Sequence, residues 1–208
     1  ISQSVFDCCT REYGSVPPII YNGVPEVRQE RCPFLVDGKT NILFAGRYDE
    51  QKGISHLIYI IRQLQDMPEY HFHVVGGGKL QNLVDAQLGT LPNVSLHNPV
   101  FGISRYLASF DYMLMPSEFE GLPLMSVEAS FAGLPVVCSD CKGLNETVPA
   151  GWQLTAHGNS HEEYMQIFRK VIPHADRAAL AQTARRFVRE HFSVEKMQAG
   201  YEQVYRQD

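Results

Sequence analysis

Between residues 41 and 155, short runs of Val, Ile, Leu and Phe such as NILFAG and YHFHVVG alternate with longer stretches whose apolar residues recur at helical spacing. A strand that is apolar on both pleat faces is buried on both sides, and parallel neighbours require crossovers of a dozen or more residues, so this alternation predicts a parallel sheet covered by helices. Strands are expected over 18–21, 41–46, 70–76, 94–97, 111–115, 135–138 and 152–155. Helices are expected over 53–65, 79–88, 103–110 and 123–131, and a further helix from Ile1 to roughly Tyr13 opens the chain. After residue 155 the strand pattern stops, and helices follow over 160–172, 177–191 and 193–205. The last has a start signal, Ser193 as N-cap, and an apolar face from Met197, Tyr201, Val204 and Tyr205. The expected fold class is α/β, a doubly wound Rossmann-like parallel sheet of about six strands with helices on both faces and C-terminal helices, whose ligands lie at the carboxyl ends of the strands.

Composition narrows the function classes. At 208 residues, 44% of them hydrophobic and 20% charged, the chain is an ordinary globular protein with enough apolar side chains for one sizeable core. The net charge of −5 leaves no basic stripe for phosphate backbones, since Arg185, Arg186 and Arg189 suit an exposed helical face. No apolar run reaches the length of a membrane span, and Ile1 opens no signal-peptide pattern. Five cysteines, Cys8, Cys9, Cys32, Cys138 and Cys141, make an odd set that fits reduced thiols in the cytosol. Cys138 and Cys141 have C-x-x-C spacing, but no second ligand pair follows to complete a zinc site. His71 and His73 share one face of a strand, and an H-x-H pair without a third ligand is read as structural.

The densest chemistry lies in PSEFEGLPLMSVEASFAGLPVV, residues 116–137. Pro123 suits the first helical position, which leaves Glu120 in the preceding loop and Glu128 in the second turn, about 7 to 10 Å away by helix rise. Two carboxylates beside a phosphate would repel it, so they are better suited to accept hydrogen bonds from hydroxyls on either side of one. A nucleoside diphosphate sugar has that layout. Upstream, NILFAGRYDEQKG ends a strand in a turn with Arg47 and Lys52, a planar fork and a mobile point charge that together can neutralise a diphosphate.

This frame resembles the signature of retaining GT-B glycosyltransferases, family 4-like (glycosyl transferases group 1), in Pro116, Ser117, Glu120, Gly121, Pro123, Glu128, Ala129, Ala132, Gly133, Pro135, Val136 and Val137. Arg47 and Lys52 match the family's Gly-Arg and Lys-Gly residue by residue, and the opening Ile1-Ser2 and Asn22-Gly23-Val24 match the entrance to the second of its two Rossmann-like domains. The resemblance implies that residues 1–208 are the C-terminal, donor-binding domain, with the N-terminal acceptor domain lost or cut away. It implies Glu120 toward the transferred sugar, Arg47 and Lys52 on the leaving diphosphate, and Glu128 on ribose hydroxyls. It also implies Gly121, Leu122, Pro123 and Leu124 backbone against phosphate, and Val100 and Phe101 near the nucleobase. Gly76 and Lys79, in a Gly-Gly-Gly-Lys turn that lacks the Ser or Thr of a P-loop, border the donor pocket or form only a turn. Glu146 falls where the family has Gly-Gly-x-x-Glu, but Lys142 replaces the first glycine.

No metal or other cofactor is implied. The implied partners are a nucleotide-sugar donor and a glycan or lipid-linked acceptor held by the missing domain, with no nucleic acid, in a cytoplasmic enzyme that can contact the membrane face. Two alternatives stay open: one half of a nucleotide-sugar epimerase, which lacks the 120–128 frame, and a non-catalytic nucleotide-sugar-binding or partner domain.

Overall fold

The computed structural model describes residues 2–9 and 18–206, the side chains of Ser4, Cys8 and Cys9 excepted. After a short α1 (Gln3–Cys9), β1 (Thr40–Arg47), α2 (Ile54–Gln63), β2 (Tyr70–Gly77), α3 (Gln81–Leu88) and β3 (Val94–His97) form the first half of the sheet unit. A 3-10 segment (Ile103–Ser109) leads to β4 (Tyr112–Met115), α4 (Leu124–Ala132), β5 (Val136–Ser139) and the two-residue β6 (Thr155–Ala156). Helices α5 (His161–Gln166), α6 (Arg177–Phe192) and α7 (Val194–Tyr205) close the chain.

All strand pairs are parallel, in the order β3-β2-β1-β4-β5-β6. The doubly wound class expected from the sequence is therefore the fold. Burial explains the strands: Ile42, Leu43, Phe72, Val74, Met113, Leu114, Val136 and Val137 lie in one core, as continuous apolar runs require. α2 buries Ile54, Leu57, Ile60 and Ile61, a stripe three and four residues apart, and packs beside α3 and α5. α4 packs beside α6 and the 3-10 segment, and α6 beside α7. A second apolar cluster joins Val24 to Val127 and Phe131 of α4 and Val188 and Phe192 of α6.

Several local expectations are corrected. Residues 18–21 pair with no strand of the sheet; Tyr21 instead packs its ring edge-on at 5.0 Å from Phe192, and Val24 N donates to Phe192 O at 2.8 Å. Gly23 lets this strap lie against α7, because a Cβ there would stand 2.6 Å from Val194 Cα. The segment expected as a helix over 103–110 is 3-10, and the one over 160–172 is α-helical only to Gln166, then a π turn (Ile167–Val171) and a 3-10 turn (Ile172–His174). Within the π turn, Phe168 O accepts from Tyr70 Oη at 2.6 Å, so tertiary bonding accompanies the change of period. Pro123 occupies the cap position of α4 rather than its first turn. The continuation of the first helix over 10–13 and the Cys8–Cys9 side chains lie outside the described residues.

Candidate functional site

The sheet order reverses between β1 and β4, so the loops that leave these two strands stand at the switch point, at the carboxyl ends of the strands. One loop carries Arg47 to Gly53 and the other Pro116 to Pro123. They touch closely: Gly53, at φ 67°, lies where a Cβ would stand 1.8 Å from Pro116 O. Glu118 N donates to Gln51 O at 2.9 Å, and Gln51 Nε2 donates to Phe119 O at 3.2 Å.

This contact brings together Lys52 and Glu120. Lys52 Nζ donates to Glu120 Oε1 at 2.7 Å, and Ser117 Oγ donates to the same oxygen at 2.8 Å. The Glu120 side chain is only 6% exposed, so its charge is held by a cation and a hydroxyl inside the fold. From the other side, Glu120 N donates to Lys142 O at 3.2 Å, and Ser139 Oγ donates to Ser117 O at 2.6 Å. The loops after β1 and β4 thus hold the Glu120 carboxylate, and the chain at the end of β5 holds its backbone.

Arg47 stands further out, its side chain 70% exposed, 3.5 Å from Asp49 Oδ2 and donating to Gln51 Oε1 at 3.2 Å. It reaches the Glu120 loop through Gln51. Lys79 is paired with Glu50, whose carboxyl is held below the usual range first by that hydrogen bond. Gly76 permits close approach of β2 to β1, since a Cβ there would stand 1.9 Å from Gly46 O; its structural duty is plain. Val100 is half-buried against the core, whereas Phe101 is 97% exposed beyond β3. Gly121, Leu122, Pro123 and Leu124 lead into α4, whose first N–H groups have no intrahelical acceptor.

Glu128 is in the second turn of α4, as expected, but its surroundings differ from those of Glu120. Its Oε2 accepts from Ser104 Oγ at 2.6 Å, on the segment after β3, and it borders a cavity of about 120 Å³ with Gln29 and Arg185. The bonds of Glu128 run to the β3–β4 connection, not to the Lys52–Glu120 pair.

Sequence reasoning missed several residues. Ser117 was visible as part of the Pro-Ser turn, yet its bond to Glu120 was not assigned. His56 Nε2 lies 2.8 Å from Glu118 Oε1 and ties α2 to the same loop, and Ser104 holds Glu128. Neither belongs to a spacing pattern; each partner is far away in the chain. Of the histidine pair, His71 Nε2 bonds Ser95 Oγ at 2.8 Å, while His73 lies between Asn41 Oδ1 at 2.8 Å and His97 Nε2 at 3.3 Å. Burial pushes the fully buried Cys138 thiol up to about 12 and raises the half-buried Cys141 thiol as well, so both members of the C-x-x-C pair favour the protonated form.

A buried carboxylate clamped by a lysine, with further cations on the same rim, concentrates the polar chemistry of this α/β fold at the sheet's switch point. A family model described as glycosyl transferases group 1 matches residues 39–189, and the chain belongs to that family. The uncharacterized glycosyltransferase MJ1178 of Methanocaldococcus jannaschii is 26% identical over 196 residues, covering 90% of this chain and 52% of that protein. The O-antigen biosynthesis glycosyltransferase WbnH of Escherichia coli is 30% identical over 107 residues, covering 51% of this chain and 30% of WbnH. A crystal structure of a point mutant of S. aureus TarM, in complex with Fondaparinux, alpha-GlcNAc-glycerol and UDP, superposes with a TM-score of 0.80 at 19% identity. That likeness covers 99% of this chain and 43% of TarM. The chain therefore spans about half or less of the length of these relatives.

Proposed function

We propose that this chain is the donor-binding, C-terminal half of a retaining, family 4-like GT-B glycosyltransferase, which moves a sugar from a nucleoside diphosphate to a glycan or lipid-linked acceptor. The setting is glycan, lipopolysaccharide or capsule-type polysaccharide synthesis, a reading supported by family membership and by relatives such as the O-antigen enzyme. The observation that carries the reading is the meeting of Lys52 and Glu120 at the β1/β4 switch point.

In this mechanism Glu120 accepts from sugar hydroxyls and steadies the developing positive charge at the anomeric carbon. Lys52 has three N–H donors and gives one to Glu120, so the others serve a phosphate. Arg47, open at the rim, supplies the second cation for the departing diphosphate, whose charge grows as the glycosidic bond breaks. The diphosphate oxygen accepts the acceptor's proton on the same face that the leaving group quits, which retains configuration. The backbone N–H groups of Gly121, Leu122 and Leu124, on the turn through Pro123 into α4, face phosphate oxygens, and Glu128 binds ribose hydroxyls beside Phe101 and Val100. No step calls for a metal ion.

The test is thermal stabilisation by UDP, GDP, ADP and their sugars. A ligand at a hundred times its dissociation constant adds about 2.7 kcal/mol to stability. A response to one base that disappears in Arg47→Ala supports the reading and identifies the donor base; a chain indifferent to every nucleotide refutes it.

A further inference from the structure

Residue 142 is where the sequence departs from the resembled pattern, and the fold brings that departure to the edge of the site. The loop after β5 is fastened to the loop after β4 by the Ser139 Oγ to Ser117 O bond, 2.6 Å, and by the Glu120 N to Lys142 O bond, 3.2 Å. Gly143, at φ 83°, lies so close that a Cβ would stand 2.3 Å from Glu120 O and 2.5 Å from Gly121 O. Lys142 is thereby held one hydrogen bond from the backbone of the buried carboxylate, with its own side chain exposed.

The charges of this rim are otherwise matched. Lys52 is paired with Glu120, Arg47 with Asp49, and Lys79 with Glu50. The acids nearest Lys142 in sequence are also engaged: Asp140 accepts from Gly158 N, and Glu146 accepts from Tyr21 Oη at 3.0 Å and Gln3 N at 2.8 Å. Among the described residues, Lys142 takes part in no ion pair. The loop fastened to Glu120 by its backbone therefore carries an exposed ammonium that no ion pair holds, while the Glu120 carboxylate itself is bonded to Lys52.

We infer that Lys142 selects donors whose transferred sugar carries a carboxylate, that is, nucleoside diphosphate uronic acids. This rests on the reading above in which Glu120 faces the transferred sugar. A neutral hexose offers the ammonium only uncharged hydroxyl acceptors, whereas a carboxylate adds the attraction of an opposite formal charge to the hydrogen bond. The repulsion that an anionic sugar would meet from Glu120 is lessened by the Lys52 ammonium bonded to that side chain at 2.7 Å.

The experiment compares affinities of UDP-glucuronic acid with UDP-glucose, and of GDP-mannuronic acid with GDP-mannose, against UDP and GDP alone. It uses the 208-residue chain and its Lys142→Ala, Lys142→Arg and Arg47→Ala variants, each checked for fold by circular dichroism. The uronic donor of the accepted base is expected to bind about fivefold tighter than its neutral counterpart, the scale of a partly exposed ion pair. Lys142→Ala should erase that preference without weakening the bare nucleotide, and Lys142→Arg should keep it. Equal binding of the two donors, or a preference that survives Lys142→Ala, overturns the inference. So does equal weakening of nucleotide and both donors, which would make Lys142 a diphosphate contact. Indifference to every nucleotide, or binding that Arg47→Ala leaves untouched, instead overturns the underlying reading of the site, and the inference falls with it.

Discussion

Gly143 and Ser117 each act on Glu120 without being ionisable. Gly143→Ala forces an L-residue to φ 83° and drives a methyl group into Glu120 O and Gly121 O. Strain of that kind costs about 1–3 kcal/mol, and it would separate the loops after β4 and β5. Urea unfolding should record the loss, together with weaker nucleotide binding. Ser117→Ala removes one of two donors to a buried carboxylate oxygen, for a cost of about 1.5–3 kcal/mol, the range of hydrogen bonds to charged groups. If unfolding shows no change, Glu120 has found another donor and Ser117 does not position it. At this scale the sequence was legible where spacing encodes a motif: Glu120, Glu128, Arg47 and Lys52 stand in recognisable frames. Ser104 and His56 were not legible. A serine or histidine becomes a partner only when folding brings its counterpart, Glu128 or Glu118, across tens of residues.

Among the elements, β2 and β3 hold an acid-labile layer. His73 is fully buried, and burial, with the nearby His71 and His97, lowers its pKa to about 3. His71 and His97 are lowered as well, both chiefly by burial, with His97 and then Lys39 adding to the shift of His71; Phe34 packs on His97, Phe110 on His73, and Ser95 bonds His71. Because the folded pKa lies below the unfolded value near 6.5, the unfolded chain binds the extra proton first. The stabilisation is complete above about pH 6.5 and is lost as pH falls from there toward about 3. From about pH 7 to about pH 5, His73 alone should remove about 2 kcal/mol of stability, and His73→Gln should flatten that dependence in urea titrations at the two pH values. At the helix starts, Asp176 accepts from Ala179 N at 3.0 Å and Ser193 from Lys196 N at 3.2 Å, so Asp176→Ala should cost about 1 kcal/mol by thermal unfolding. The Ser193 cap was readable because its signal is local. The π turn after Gln166 was not, because the bond from Tyr70 Oη to Phe168 O spans two distant elements.

For the molecule as a whole, the chain's length relative to its family bears on activity. It matches 90% of its own length to MJ1178 but only 52% of that protein. The proposed function assigns the acceptor pocket to a second domain, and on that proposal the isolated chain should bind nucleotide with little turnover. A coupled assay for nucleoside diphosphate release in the presence of sugar acceptors checks this, and sustained transfer would contradict the proposed division of labour. By itself the sequence determined the class of fold and the chemistry available, since apolar run length and helix period depend on neighbours a few residues apart. It also placed Glu120 in a loop and Glu128 on a helix. Only tertiary structure decided that Lys52 meets Glu120, that Glu128 turns to Ser104, and that Lys142 is fastened to the Glu120 loop. The first and last of these arise from the strand order, which sets β1 beside β4 and β4 beside β5, and the second from the packing of α4 on the 3-10 segment; both are properties of the packed sheet and its helices rather than of any one segment.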